Sequence, residues 1–131
     1  MTHPLKTVLE QVGPSSCPTT HNFHCHTVCS DGSLEPIELI QQATERGLKH
    51  LAVTDHHSSH AYREIQIWLD QKRASGVEVP TVWSGMEISA LLKGCLVHVL
   101  ALGFELSHPA LQPYNRGDAV VGDCLLYTSD A

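Results

Sequence analysis

Two histidines at alternate positions are the first residues in this sequence that could do chemistry, His24 and His26 of a His-Cys-His triplet. Side chains two residues apart on a β-strand project from one face, so both imidazoles would point the same way. Asp31 follows in the turn sequence Ser30-Asp31-Gly32, from which a short carboxylate can swing back towards the end of the strand. This spacing predicts that His24, His26 and Asp31 converge on a divalent cation.

Further candidates are needed, because a single histidine in a strand is more often a hydrogen-bonded core or surface residue than a metal ligand. Later segments supply Asp55, His56 and His57 as one group, then Glu87, then His98. His98 lies inside an apolar run, where a histidine needs a polar partner, and either Glu87 or a metal ion would satisfy it. The candidate ligands therefore come from four separate segments.

The elements that must position these side chains begin with a strand, a helix and a second strand. A strand is predicted from Asn22 to Thr27 and a helix from Pro36 to about Arg46, with Gly47 as the residue of positive φ that ends it. Leu48 to Thr54 contains a continuous apolar run, which is typical of a strand buried on both faces. Such a βαβ unit has parallel strands, and functional groups gather at their carboxyl ends. Both histidine groups lie at those ends.

The later candidates lie on a strand and a hairpin. Residues 60–75 are predicted to be helical, and residues 77–87 form a third strand region. Lys93-Gly94 is the predicted turn between residues 88–92 and a long apolar return strand over residues 95–104. The hairpin would bring its two strands, and the polar side chains that they carry, next to each other.

Composition indicates one globular domain that works without a membrane or a broad nucleic-acid surface. The chain has 131 residues, 42% hydrophobic and 17% charged, with no apolar run of membrane-spanning length and no secretory signal pattern. We therefore expect a cytoplasmic protein. Its net charge of −6 disfavours a partner such as double-stranded nucleic acid. A phosphorylated substrate stays compatible with that charge, because bound divalent ions invert the local sign.

The five cysteines form no Cys-x-x-Cys pair, and their odd number argues against a disulfide framework. Cys25 and Cys95 are predicted to be small buried side chains. For Cys29 the sequence allows either a packing role or a functional one, because this residue lies beside the proposed metal loop.

The mixture of imidazoles and carboxylates suits Zn, Mn or Fe. Two or more ions about 3.5–4 Å apart would clamp a phosphoryl group, which is the arrangement used in phosphoester hydrolysis. A structural zinc domain is disfavoured, because no Cys/His quartet has the spacing of a closed site.

At these residues the chain resembles the PHP family, named for polymerase and histidinol phosphatase. Four motifs occur in family order over residues 22 to about 114: His24-x-His26-Thr27 with Ser30-Asp31-Gly32, Thr54-Asp55-His56, Gly85-Met86-Glu87-Ile88-Ser89, and Val97-His98-Val99 with the apolar residues after it. Four ordered motifs are a much more specific signal than any one of them.

The resemblance implies an α/β fold, the N-terminal half of a distorted (β/α)7 TIM-like barrel, with up to three divalent ions at the carboxyl ends of its strands. The implied metal ligands are His24, His26, Asp31, His56, Glu87 and His98. Glu87 would bridge two ions. Asp55 and Glu87 are the implied catalytic residues, Asp55 by orienting the ligand that it precedes.

The remaining histidines carry weaker expectations. His57 stands where the family varies, so a functional role is the less favoured interpretation of this residue. His21, His50 and His60 are interpreted as solvent or loop histidines.

Within the family, the motifs are most similar to those of stand-alone phosphoesterases, which remove phosphate from nucleoside 3',5'-bisphosphates or trim short RNA. The resemblance thus implies hydrolysis of a small phosphorylated substrate, a nucleotide, by a metal-bridging hydroxide, with Mn, Zn, Fe or Mg as the cofactor. Histidinol-phosphatase-like and polymerase-associated activities are alternatives within the family. A non-catalytic metal-binding module and a metal-dependent amidohydrolase are the alternatives of other classes.

The family barrel is about twice the length of this chain. Its later ligands, a histidine and a closing Asp-x-His, have no counterpart after residue 104. We therefore expect a lead-in over residues 1–20, a truncated PHP domain over 21–123 and a non-native tail over 124–131, whose sequence resembles translated adaptor. Such a fragment is expected to bind metal weakly and to have little activity.

Overall fold

The structure contains the parallel βαβ unit that the sequence predicts. The computed structural model describes residues 3–115 and the backbone of residues 126–127. The first elements in chain order are α1 (Pro4–Glu10), β1 (His21–Asn22), α2 (Pro36–Glu45), β2 (His50–Ala52), α3 (Ala61–Ala74) and β3 (Thr81–Trp83). The three strands form one parallel sheet in the order β1, β2, β3.

A second sheet is built on the predicted hairpin. Its strands are β4 (Gly85–Leu92), β5 (Cys95–Leu102) and β6 (Leu126–Tyr127), with β4 in the middle, antiparallel to β5 and parallel to β6. Lys93 and Gly94 form the two-residue turn with φ values of 51° and 80°, the left-handed geometry that such a hairpin needs. A 3₁₀ helix, Pro109–Leu111, follows. The described part of the chain is therefore a mixed α/β structure with two three-stranded sheets.

The core lies between the parallel sheet and its two helices. Leu51 and Val53 from the β2 segment pack with Ile40 of α2 and with Ile65 and Leu69 of α3, all at most 2% exposed. Burial of side chains of this size contributes about 1.5–3 kcal/mol each relative to exposure. This packing fixes where β2 ends and therefore where the residues after it begin.

The ends of α2 follow the sequence signals. Pro36 is the first helical residue, where its missing N–H costs nothing, and the Glu35 amide donates to the Glu38 side chain (3.3 Å). Gly47 has φ of 74° just after the helix, as predicted. These boundaries set the direction in which the chain enters β2.

The first strand is shorter than predicted. Residues 22–27 are predicted as a strand, but β1 ends at Asn22. The side chain of Asn22 accepts the hydrogen bond of the His24 amide (3.1 Å), which removes that N–H from a strand ladder. The segment nevertheless stays beside β2, because the Thr54 amide donates to the Cys25 carbonyl (2.8 Å).

Strand β5 carries apolar side chains on both faces. Leu96 and Val99, three positions apart, point to opposite faces and are 54% and 49% exposed. Among residues 3–115, no strand pairs with the edge of β5 that faces away from β4.

In the same part of the chain, each helix is too short or too polar to cross a membrane.

The predicted non-native tail, residues 124–131, lies outside the described residues apart from the backbone of Leu126 and Tyr127. Its origin therefore stays a prediction, as do the domain limits.

Candidate metal centre

The segment after β1 presents His24 and His26 to the same side. Cys25 between them is held on the other side, because its thiol contacts the Ala52 carbonyl (3.4 Å) and its carbonyl pairs with the Thr54 amide. The alternation predicted for a strand is thus kept although the strand ends earlier. The His26 side chain is 21% exposed and the His24 side chain 56%, so the pair runs from a half-buried to an exposed position.

Asp55 holds the turn that carries Asp31. Its carboxylate is 1% exposed and accepts from the Thr27 amide (2.6 Å), the Thr27 hydroxyl (2.7 Å) and the Ser30 hydroxyl (2.7 Å). The sequence predicts that Asp55 orients His56, but these bonds go instead to the 27–30 turn. The difference arises because the Asp55 carboxylate points towards the segment after β1. The His56 side chain points instead towards Asp31 and Glu87.

The turn places Asp31 between two imidazoles. The Gly32 amide closes the turn by donating to the Thr27 carbonyl (2.8 Å). Asp31 Oδ1 then lies 3.3 Å from His26 Nδ1, and its Oδ2 lies 3.1 Å from His56 Nε2. Each oxygen of this half-exposed carboxylate therefore faces a different histidine.

Glu87 is the centre of the arrangement. Its Oε1 lies 2.7 Å from His24 Nε2 and 3.5 Å from His26 Nε2, and its Oε2 lies 3.3 Å from His56 Nδ1 and 3.2 Å from His98 Nδ1. The residue is 5% exposed. A buried carboxylate surrounded by four imidazoles is an expensive arrangement unless cations or protons compensate its charge.

The main chain fixes Glu87 as firmly as its side chain. The Glu87 amide donates to the Asp55 carbonyl (3.1 Å), and the His57 amide donates to the Glu87 carbonyl (3.1 Å). These bonds form a parallel bridge between His56 and Glu87. The end of the β2 segment and β4 therefore share a register that brings their polar side chains together.

The six predicted ligands form three overlapping groups of possible ligand atoms, each group within 4.8 Å. The groups are His24, His26 and Glu87; His26, Asp31 and His56; and His56, Glu87 and His98. Because neighbouring groups share members, the arrangement suits adjacent ions held by common ligands. The structure thus brings together all six residues that the sequence singles out, and their role as ligands stays a prediction.

The donor set fits divalent metal ions. Two carboxylates and four imidazoles, if neutral, give the cluster a formal charge of −2, which a dication offsets. His26 Nδ1 is buried without a hydrogen bond, although Asp31 Oδ1 lies 3.3 Å away. A buried ring nitrogen that faces a carboxylate in this way is satisfied when a cation lies between them.

Cys25 and Cys29 lie near the centre and are partly buried. Burial, and secondly the charge of Asp55, raises the pKa of the Cys25 thiol to about 12. Burial also raises the pKa of Cys29, whose half-buried side chain packs against the core. Because a thiolate is the form that binds metal, packing accounts for both residues. The prediction that Cys95 is buried is wrong, because it lies at the exposed end of the hairpin.

The remaining histidines have structural contacts. His21 is 8% exposed and stacks on His50 with ring centroids 5.0 Å apart, so its interpretation as a solvent or loop residue is wrong. The reason is register, since β1 pairs His21 directly with His50. Burial, followed by His21 and Lys49, lowers the pKa of His50. His60 is exposed, as predicted, and His57 is fully buried.

Three hydroxyl residues have contacts to which sequence reasoning assigned no role. Thr27 and Ser30 donate to Asp55, and Ser89 Oγ lies 3.2 Å from His98 Nδ1. The period of two along a strand could have found Ser89, because it follows Glu87 by two positions and shares its face. No sequence signal pairs Thr27 with Asp55, 28 positions away.

Comparison with known proteins finds similar sequences over most of the described residues. The model of the PHP domain matches residues 22–108. The chain is 34% identical over 91 residues to the 5'-3' exoribonuclease of Haemophilus influenzae, covering 70% of this chain and 31% of that protein. It is 32% identical over 90 residues to the 3',5'-nucleoside bisphosphate phosphatase of Chromobacterium violaceum, covering 69% and 30%.

A solved structure gives the same result. A protein of Bifidobacterium adolescentis, inferred to be a metal-dependent phosphoesterase, superposes with a TM-score of 0.60 and 30% identity, over 73% of this chain and 32% of that one. The chain thus spans about a third of the length of the proteins that it matches.

Proposed function

Because the chain belongs to the PHP family, we propose that it carries the metal-binding part of a phosphoester hydrolase. The observation that supports this most is the position of Glu87, a buried carboxylate whose two oxygens face four imidazoles from three separate segments. The proposed ligands are His24, His26, Asp31, His56, Glu87 and His98. A site with this donor set and this sharing of ligands suits two or three ions.

The chain's own residues would divide the work as follows. Glu87 and Asp31 each direct their two oxygens to different partners, so each can serve two neighbouring cations. Divalent ions bound here would neutralise phosphoryl charge and supply a nucleophile at neutral pH. Asp55, whose carboxylate accepts three hydrogen bonds from the 27–30 turn, is proposed as a positioning residue and not as an acid or base.

Donor chemistry favours some divalent metals over others. Four imidazoles favour Zn, Mn or Fe over Mg, which prefers oxygen ligands and keeps several waters. Mn, Zn, Fe and Mg are all testable cofactors.

The proposed substrate is a small phosphorylated molecule, a nucleotide such as a nucleoside 3',5'-bisphosphate or a short RNA. Two relatives are named for those substrates, an exoribonuclease and a bisphosphate phosphatase. A net charge of −6 gives no support for a long duplex partner. Histidinol-phosphatase-like and polymerase-associated activities stay the alternatives within the family, and a non-catalytic metal-binding module is the alternative of another class.

We also infer that the parallel sheet and the hairpin form the N-terminal part of a distorted (β/α)7 barrel. Two features support this inference: helices cover one face of three parallel strands, and four of the six candidate ligands follow the carboxyl ends of β1 and β2.

Metal binding is tested first, because it depends on described residues alone. The chain, freed of metal by chelation, is titrated with Co²⁺ and Mn²⁺, and bound metal is counted by mass spectrometry. We expect at least one ion per chain, and Glu87→Gln should reduce the amount. No specific binding would overturn the proposal.

Hydrolysis is tested with p-nitrophenyl phosphate, a nucleoside 3',5'-bisphosphate and a short 5'-labelled RNA, each with added Mn²⁺. Manganese-dependent release of phosphate or nucleotide is expected from a protein that contains this domain at the full length of its relatives. Stoichiometric metal without hydrolysis in that protein would favour the non-catalytic module.

A further inference from the structure

We propose that His57 is a positioning residue that sets the geometry of the candidate metal centre without binding metal itself. This inference rests on the proposed function. His57 directly follows the candidate ligand His56, yet the two imidazoles go to different places. His56 faces Asp31 and Glu87, whereas His57 is 0% exposed and lies beside the edge of β4.

The backbone explains why two adjacent histidines separate. His57 has φ of 50°, a left-handed conformation that L-residues other than glycine rarely adopt. Lys93, the other such residue in the described chain, lies in a hairpin turn that requires this geometry. His57 lies outside a hairpin turn, and its amide bond to Glu87 together with its side-chain contacts holds the conformation in place.

Both ring nitrogens of His57 have partners on other segments. The Ser89 amide of β4 donates to His57 Nε2 (3.1 Å), and His57 Nδ1 lies 3.2 Å from the Tyr114 carbonyl. A main-chain N–H can only donate and a carbonyl can only accept, so the ring carries its proton on Nδ1. The neutral Nδ1–H tautomer is the one form that satisfies both contacts.

These contacts extend the pairing of β4 with the end of the β2 segment. The Glu87 amide donates to the Asp55 carbonyl, and the His57 amide donates to the Glu87 carbonyl. Alternate N–H groups of a strand point the same way, so the next free donor on that side of β4 is the Ser89 amide. The imidazole of His57 accepts the hydrogen bond of the Ser89 amide. If the β2 segment continued as a strand, one of its main-chain carbonyls would accept this bond.

These contacts connect His57 to two candidate ligands, Glu87 and His98. Ser89 is held by its amide to His57, and its hydroxyl lies 3.2 Å from His98 Nδ1. Glu87, two residues earlier on the same strand, is held through the His57 amide. His57 therefore determines how the stretch from Glu87 to Ser89, with His98 beside it, lies against His56.

Two substitutions separate this role from a general need for stability. Asn tolerates a positive φ and can donate to the Tyr114 carbonyl, but it is too short to accept from the Ser89 amide. Gln reaches the position of Nε2 and restores that acceptor, but it fits a positive φ less well. A positioning role predicts better metal binding by His57→Gln, whereas a purely structural role predicts better behaviour of His57→Asn in every assay.

The test measures Co²⁺ affinity from the visible absorption of the bound ion, and the thermal midpoint of the metal-free chain. We expect His57→Asn to weaken Co²⁺ binding by about tenfold or more, the loss usual for partners of ligands, and His57→Gln to weaken it by less than about threefold. Lys93→Asn, at the other positive φ, is the matched control and should leave affinity unchanged.

Affinities that follow the thermal midpoints, with His57→Asn equal to or better than His57→Gln, would overturn the inference. Failure of the wild-type chain to bind Co²⁺ would overturn the proposed metal centre and this inference with it, so the two failures are distinguishable. If the variants do not fold, a measurement on the wild-type chain tests the inference instead. The long-range ¹H–¹⁵N spectrum should show His57 as the Nδ1–H tautomer before and after metal addition, and the opposite tautomer would contradict the proposal.

Discussion

Glu87 Oε1 lies 2.7 Å from His24 Nε2, although 63 positions separate the two residues in the chain. The contact joins the segment after β1 to the second sheet, and the other carboxylate oxygen reaches His56 and His98. A single buried carboxylate therefore connects every histidine of the candidate centre.

The substitution Glu87→Gln keeps the size of this side chain and removes its charge. We expect the affinity for Co²⁺ or Mn²⁺ to fall by more than about tenfold, because the four imidazoles lose their shared anion. Isothermal titration calorimetry measures the change. Glu78→Gln, which removes the same charge from an exposed position, is the control, and equal affinities of the two variants would contradict the role given to Glu87.

Asp55→Asn tests the clamp on the 27–30 turn. An amide presents one acceptor oxygen, so its NH₂ group would face one of the three donors that now bind the carboxylate. We expect a loss of about 1–3 kcal/mol in the free energy of unfolding, measured by urea denaturation. Asp70→Asn on the exposed side of α3 should change it by less than about 0.5 kcal/mol. A loss no larger than that control would show that the clamp contributes little.

Gly32→Ala tests the close approach inside the same turn. A Cβ at residue 32 would overlap the carbonyl group of His26 and lie 2.7 Å from the Thr27 nitrogen, so the backbone must shift. Because Asp31 is the preceding residue, we expect weaker metal binding as well as destabilisation of about 1–3 kcal/mol or more. Gly13→Ala, where the nearest atom is 4.0 Å away, is the matched control. Both properties unchanged in Gly32→Ala would refute the tight turn.

The half-buried thiol of Cys25 makes the free energy of unfolding depend on pH in the alkaline range. Its pKa rises from 9.0 to about 12 in the folded chain, so the unfolded chain loses this proton first. The free energy of unfolding should therefore fall as the pH increases from about 9 towards 12, and this contribution is fully present below about pH 9. Urea denaturation at several pH values measures the slope for wild type and for Cys25→Ala. The variant should have the shallower slope, and identical slopes would count against the shift.

The same shift predicts selective labelling. Near neutral pH, a thiol reagent should modify the exposed residues Cys17 and Cys95 well before Cys25.

Local signals in the sequence were sufficient for the elements that carry the site. Pro36 and Gly47 fix the ends of α2 because each has one favourable place in a helix, and Lys93-Gly94 fixes the hairpin because both residues adopt the positive φ of its turn. Alternation predicts that His24 and His26 share a side. That inference depends on local geometry, so it survives the early end of β1.

Features set by distant contacts were not predictable. The direction of the Asp55 side chain depends on donors from Thr27 and Ser30, which local pattern does not connect to it. The burial of His21 depends on its register with His50. The separation of His57 from His56 needs a positive φ that no turn signal announces.

The composition of strand β5 affects how the chain behaves in concentrated solution. Its eight residues, Cys95 to Leu102, contain no formal charge and no proline, and the imidazole of His98 is the only side chain among them with a nitrogen or oxygen atom. Segments of this composition with an open edge are prone to cross-β stacking, and a single polar residue can act as a gatekeeper against it. His98 thus stands as candidate ligand and as gatekeeper at once. Replacing it with an apolar side chain would promote fibril formation, so a substitution that probes its chemistry alone must keep the position polar, as His98→Gln does.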